Sequence, residues 1–230
     1  MLKNSFKIKK IPAVLWGEKS DRIYIYVHGK MSSKESAEAF AEIAVQRGYQ
    51  VLSFDLPEHG ERTDMDYKCN IWNGIADLQT IGSYAQENWH ELALFGCSLG
   101  AFFSLYAYQN FPIRKCLFLS PILNMEHLIQ KMFQWFSVTE EQLQQKGEIP
   151  TPVDTLSWAY CCYVKEHPIE KWTPPTCILY GSEDQLQSQA DIEEFAQKFN
   201  CQLRVSVGSD HPFLSPKEGE IVSEWLSEKI

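Results

Sequence analysis

The chain has 230 residues, 44% of them hydrophobic and 13% aromatic, with a formal net charge of −9. At this mass roughly 72% of the unfolded surface is buried on folding, which supplies a core without disulfides or a structural metal, and ordinary Gly and Pro counts exclude collagen-like and low-complexity chains. The excess of 30 carboxylates over 21 cations disfavours nucleic acid and anionic membrane as partners.

From the start, Met1 to Lys10 alternates charged and apolar residues without an apolar signal region. The expectation is one cytoplasmic, soluble globular domain. Phe6–Trp16 reads as one or two extended strands interrupted at Pro12, and Arg22–Val27 (RIYIYV) as a strand ending at His28-Gly29. Ser33–Arg47 has apolar residues at helical spacing, with Gly48 at the expected stop. Gln50–Leu56 is strand-like and is broken by Pro57-Glu58-His59-Gly60; Asn70–Trp89 looks helical. Leu92–Ile113 carries no charge and is long enough to span a bilayer. Its Gly, Ser, Gln, Asn and Pro residues and its change of pattern predict a buried strand, Leu92–Phe95, followed by a buried helix, Leu99–Gln109.

Lys115–Leu119, Thr176–Tyr180 and Gln202–Val207 are further strands, with helices over Gln189–Phe199 and Glu218–Glu228. Alternating strands and helices imply an α/β fold, a mostly parallel sheet covered on both faces. Residues 125–172 break the alternation with large apolar side chains and helix formers and no convincing strand. They read as a helical cap inserted into a core domain of residues 1–124 and 173–230. The cap aromatics Phe133, Trp135, Phe136 and Trp158 are candidates for contact with an apolar substrate.

Gly96-Cys97-Ser98-Leu99-Gly100 matches G-x-S-x-G between a strand and a helix. A nucleophile on so tight a turn needs small neighbours two positions away on each side. The following helix start aims amide hydrogens at developing negative charge. Serine is a poor nucleophile at its free pKa and needs a base held by an acid. Asp184, after the strand TCILY, and His211, after the next strand, supply both in the order Ser98…Asp184…His211. Glu183 and Asp210 are rival acids. His28 and His59 read as loop-framework residues that hydrogen-bond backbone, and His90, His127 and His167 as surface or cap residues. The seven cysteines lack any C-x-x-C pair and read as small buried thiols of a reducing compartment. No metal site, phosphate loop or dinucleotide fingerprint is present, so no cofactor is expected.

These motifs resemble the α/β-hydrolase superfamily from about Ile23 to the C-terminus, in the manner of a small bacterial-type esterase or lipase with a helical cap. The resemblance implies Ser98 as nucleophile, His211 as general base and then acid, and Asp184 as the orienting carboxylate. His28-Gly29 is similar to the superfamily's oxyanion-loop element, implying an oxyanion hole from the backbone N–H groups of Lys30 and Leu99. Asp55-Leu56-Pro57-Glu58-His59-Gly60 resembles the D-x-P-G-H-G loop, with Glu58 in place of the usual glycine. The alternative acid position, after KCLFL, holds Ser120 to Asn124 and no carboxylate. The implied activity is cofactor-free cleavage of a carboxylic ester or related small acyl substrate through an acyl-enzyme. A peptidase or amidase, a C–C hydrolase and a non-catalytic ligand-binding homologue are the alternatives. A haloalkane dehalogenase is disfavoured because it needs a carboxylate at position 98.

Overall fold

In the computed structural model, which describes residues 1–230, the β-rich runs assemble into one eight-stranded sheet. Its strands are β1 (Lys3–Ile8), β2 (Ile11–Trp16), β3 (Arg22–Val27), β4 (Gln50–Phe54), β5 (Glu91–Cys97), β6 (Ile113–Leu119), β9 (Thr176–Gly181) and β10 (Gln202–Ser206). The spatial order is β1-β2-β4-β3-β5-β6-β9-β10. Only β2 runs against its neighbours; all other pairings are parallel.

The period-2 rule explains how these strands serve two cores at once. In β3, Ile23, Ile25 and Val27 enter one hydrophobic cluster, while Tyr24 and Tyr26 enter the other. β5 divides in the same way, Leu92 and Leu94 on one side and Ala93 and Phe95 on the other. Helices α1 (Glu38–Gln46) and α8 (Pro216–Lys229) cover the smaller core through Phe40, Ala44, Trp225 and Leu226. Helices α2 (Ile71–Asn88), α3 (Leu99–Ala107) and α7 (Gln189–Lys198) cover the larger one.

The larger core also takes in residues 125–172. They form α4 (Met125–Phe136), α5 (Glu140–Lys146), a hairpin of β7 (Glu148–Pro150) and β8 (Thr155–Ser157), and α6 (Trp158–Glu166). The hairpin corrects the expectation of a strand-free segment. Three-residue strands are too short to show a period of two, so the pattern hid them.

Two further boundaries differ from the sequence reading. The break between β1 and β2 falls at Lys9, which has a φ of +54°, and Pro12 lies inside β2. The proline is tolerated because the β4 register begins only at Ala13, so no ladder bond there needs its missing N–H, while its carbonyl still accepts Asp55 N–H at 3.0 Å. The first turn of the helix expected from Ser33 is a tight 3-10 turn, Lys34–Ala37. The uncharged stretch Leu92–Ile113 is β5, a sharp turn and α3, and no helix is long and apolar enough to cross a membrane.

The burial pattern separates two tryptophans. Trp225 is fully enclosed between α8 and the sheet, and Trp135 on α4 is half-exposed. In urea unfolding, Trp225→Ala is expected to lose about 3–5 kcal/mol, and Trp135→Ala about 1 kcal/mol or less.

Candidate active site

The loops at the C-terminal ends of β3, β5, β9 and β10 converge on Ser98. This residue leaves β5 with φ +49° and ψ −118° and caps the N-terminus of α3. So abrupt a strand-to-helix turn brings α3 against the sheet. A β-carbon on Gly100 would lie 2.4 Å from the His28 carbonyl oxygen and 2.5 Å from that of Val27, and one on Gly96 would lie 2.9 Å from Ala101 Cα. All of these obstacles are backbone atoms, which cannot rotate away, so glycine is required at both positions. The turn is tied from both directions: Ser98 N–H donates to Leu119 O (3.1 Å), and Ser98 O accepts from Ile122 N–H (3.3 Å).

Ser98 Oγ lies 2.8 Å from His211 Nε2, and His211 Nδ1 lies 2.6 Å from Asp184 Oδ2. With Nδ1–H donating to the carboxylate, Nε2 is left to accept the serine hydroxyl proton. The second oxygen of Asp184 accepts the N–H groups of Leu186 (2.7 Å) and Gln187 (3.1 Å), and the side chain has no exposed surface. The other two acids do not reach the imidazole. Glu183 is exposed and accepts the Ser182 hydroxyl, and Asp210 is exposed on the preceding turn.

Beside the serine, a β-carbon on Gly29 would lie 3.2 Å from Ser98 Cβ, so the loop after β3 presses against Ser98. The next amide, Lys30 N–H, donates to no group of the protein, and Leu99 N–H opens α3, where the first four amides lack helical partners. Both residues border the same cavity as Ser98.

That cavity, about 130 Å³, is largely apolar and is roofed by residues 125–172. Trp135 lines it, together with four residues the sequence reading did not single out: Met125, Leu128, Ile129 and Met132 of α4. Their i, i+3, i+4, i+7 spacing was the available signal. Leu156 of β8 and Tyr160 of α6 also line it. Phe133, Phe136 and Trp158, the other expected contacts, do not line it; they pack part-buried against the larger core. Being aromatic indicates burial, and the helix register decides against what. A larger cavity of about 220 Å³ between α3, α4 and α7 does not include Ser98.

Neighbouring thiols are unreactive by environment. Burial pushes the Cys97 and Cys69 thiols up to about 12, so neither supplies a thiolate nucleophile at neutral pH. His28 and His59 lie under the loop with ring centroids 5.3 Å apart. His28 Nδ1–H donates to Gly29 O (2.7 Å) and its Nε2 accepts Leu56 N–H (3.1 Å). His127 pairs with Asp191 away from Ser98, and His167 stacks on Tyr163.

No protein-family model matches the chain. An uncharacterized protein of Caenorhabditis elegans is 24% identical over 211 residues, a match that takes in 84% of this chain and 40% of the nematode protein. The chain therefore spans about two fifths of the length of that curated relative. Among solved structures, Est1E from Butyrivibrio proteoclasticus with ferulic acid bound superposes with a TM-score of 0.73 at 17% identity, covering 98% of this chain and 96% of that one. Alpha/beta hydrolase domain-containing protein 10 from mouse gives 0.76 at 16%, covering 99% and 98%. The monoacylglycerol lipase of Paleococcus ferrophilus gives 0.69 at 18%, covering 96% and 99%. Each superposition runs over nearly the full length of both chains, so the mostly parallel sheet and its covering helices match throughout. The chain has the α/β-hydrolase fold.

The buried imidazole of His28 makes stability depend on pH. Burial is the main cause that lowers its pKa from 6.5 to about 4, opposed in part by its bond to the Gly29 carbonyl. Between these values the unfolded chain binds the proton and the folded one does not. The contribution is therefore complete above pH 6.5 and is lost as pH falls toward 4, about 3 kcal/mol in total. Urea unfolding from pH 7 to pH 4 should show this decline in the wild type and a shallower one in His28→Gln.

Proposed function

We propose that the protein is a serine hydrolase that cleaves carboxylic esters through an acyl-enzyme. The observation that carries this reading is the unbroken hydrogen-bonded line from Asp184 through His211 to Ser98 Oγ, ending at a strained turn beside an apolar cavity. Ser98 Oγ attacks the carbonyl carbon while His211 Nε2 takes its proton. Asp184, held by two backbone amides, keeps the ring in the required tautomer and stabilises the imidazolium. The tetrahedral oxyanion forms against the N–H groups of Lys30 and Leu99, each worth roughly 3 kcal/mol in the transition state. His211 then protonates the leaving alcohol, and the same imidazole activates water to release the acid.

Residues 125–172 act as a cap on a core of residues 1–124 and 173–230. Their apolar lining suits the acyl or alkyl part of a small ester better than a charged group. Est1E holding ferulic acid and a monoacylglycerol lipase of the same fold lend support to an acyl substrate.

Ser98→Ala should leave the unfolding transition intact and lower hydrolysis of p-nitrophenyl esters by about 10⁴-fold or more. A fluorophosphonate probe should label the wild type at Ser98 alone; unlabelled, folded protein would identify a non-catalytic homologue. Asp184→Asn should also lose several orders of magnitude in kcat while Glu183→Gln keeps most of it. The reverse result would reassign the acid. Matched amide substrates should turn over far more slowly than the esters.

A further inference from the structure

Met31 follows Lys30, whose amide is left without a protein partner beside the cavity that Ser98 borders, and the Met31 backbone is in the left-handed region at φ +61°. The residue is 92% exposed, so packing of its side chain does not explain the conformation. A non-glycine residue persists there only where the surroundings impose it. The imposing contact is on the backbone: Met31 N–H donates to His59 Nε2 at 3.1 Å.

His59 is held in its turn. Its Nδ1–H donates to the Pro57 carbonyl at 2.7 Å, which fixes the tautomer and leaves Nε2 as an acceptor. The ring is buried, 9% exposed for the whole residue, and Glu58 just before it is also left-handed at φ +60°. The Glu58 carboxylate accepts Cys69 N–H (2.6 Å) and the Lys68 ammonium (3.2 Å), anchoring the segment that carries the imidazole. Two strained residues thus flank a single hydrogen bond. On the other side of Lys30, His28 holds Gly29 O, so the loop is gripped immediately before and immediately after the Lys30 amide.

We infer that His59 is a positioning residue for the oxyanion loop. Its neutral imidazole holds Met31 N–H and so aims Lys30 N–H at the position where negative charge develops. This rests on the hydrolase reading for its catalytic consequence and on the geometry alone for the clamp. No proton is transferred in this role; the ring needs only to keep its donor and acceptor in place. A carboxamide carries a donor and an acceptor at nearly the same separation, so glutamine is the conservative replacement.

The test compares wild type, His59→Ala and His59→Gln by ester kinetics and by hydrogen–deuterium exchange of residues 29–33. An oxyanion donor acts in the transition state and hardly at all in the ground state. His59→Ala is therefore expected to lower kcat about 10- to 100-fold while KM stays within about threefold. Amides 29–33 should exchange faster in that variant, with β5 unchanged, and His59→Gln should recover most of kcat and of the protection. If His59→Ala does not fold, His59→Leu, which fills the volume without either hydrogen bond, is judged by the same criteria. A wild-type kcat, a loss confined to KM, unchanged exchange at 29–33, or a Gln variant as impaired as Ala would overturn the inference. Faster exchange in a protein whose wild type hydrolyses no ester would strike the hydrolase reading alone and leave the clamp standing.

Discussion

The backbone of Ser98 is the constraint around which the rest is arranged. At φ +49° a serine stays only if the chain on both sides is pinned, and here the end of β6 pins it through Leu119 while the segment after β6 pins it through Ile122. The same turn brings α3 so close to β3 that glycine alone fits at position 100. Local strain of this kind destabilises a protein by about 1–3 kcal/mol, a sum the two flanking cores readily offset. What the strain provides is a hydroxyl lifted clear of the sheet at a helix N-terminus.

Once that hydroxyl is placed, the polar groups at the C-terminal edge of the sheet divide into two kinds. Some hold loops. Asp55, fully buried, accepts from the amides of Lys34 and Glu61 and from the Lys34 ammonium, and Arg62 pairs with buried Asp77. These pairs keep the segment after β4 rigid, and His59 rides on it. Others face the cavity. Lys30 and Asp154 are its only charged lining residues, and they neutralise each other by an ion pair between the loop after β3 and the turn of the β7–β8 hairpin. The interior beyond them is mainly methionine, leucine and isoleucine, with Trp135 and Tyr160 among them, and the unbranched methionines conform to an irregular apolar guest.

Much of the scaffold was readable residue by residue. RIYIYV sends alternate side chains to two cores as its period of two requires, and the G-x-S-x-G run stands where a strand becomes a helix. Other features left no trace in the pattern. The β7–β8 strands are three residues each, below the length at which alternation can be recognised. Pro12 looked like an interruption because its missing donor matters only where the ladder needs one, and that depends on where β4 begins to pair. Among the aromatics of residues 125–172, Trp135 alone of the four expected lines the cavity, because each residue along a helix turns the side chain by about 100°, so Phe133 and Phe136 on the same helix face the core instead.

The sequence by itself determined the elements, their chain order and the chemical types on the loops, because propensity, period and turn chemistry act over a few residues. It pointed to Asp184 as the acid, with Glu183 and Asp210 as rivals. The tertiary structure separates the three: Asp184 is buried within reach of His211, while Glu183 and Asp210 are exposed. It also decided which apolar side chains meet Ser98 and that His59 grips Met31. Such contacts join residues dozens to more than a hundred positions apart, and their distances follow from how strands stack in the sheet, which no local pattern encodes.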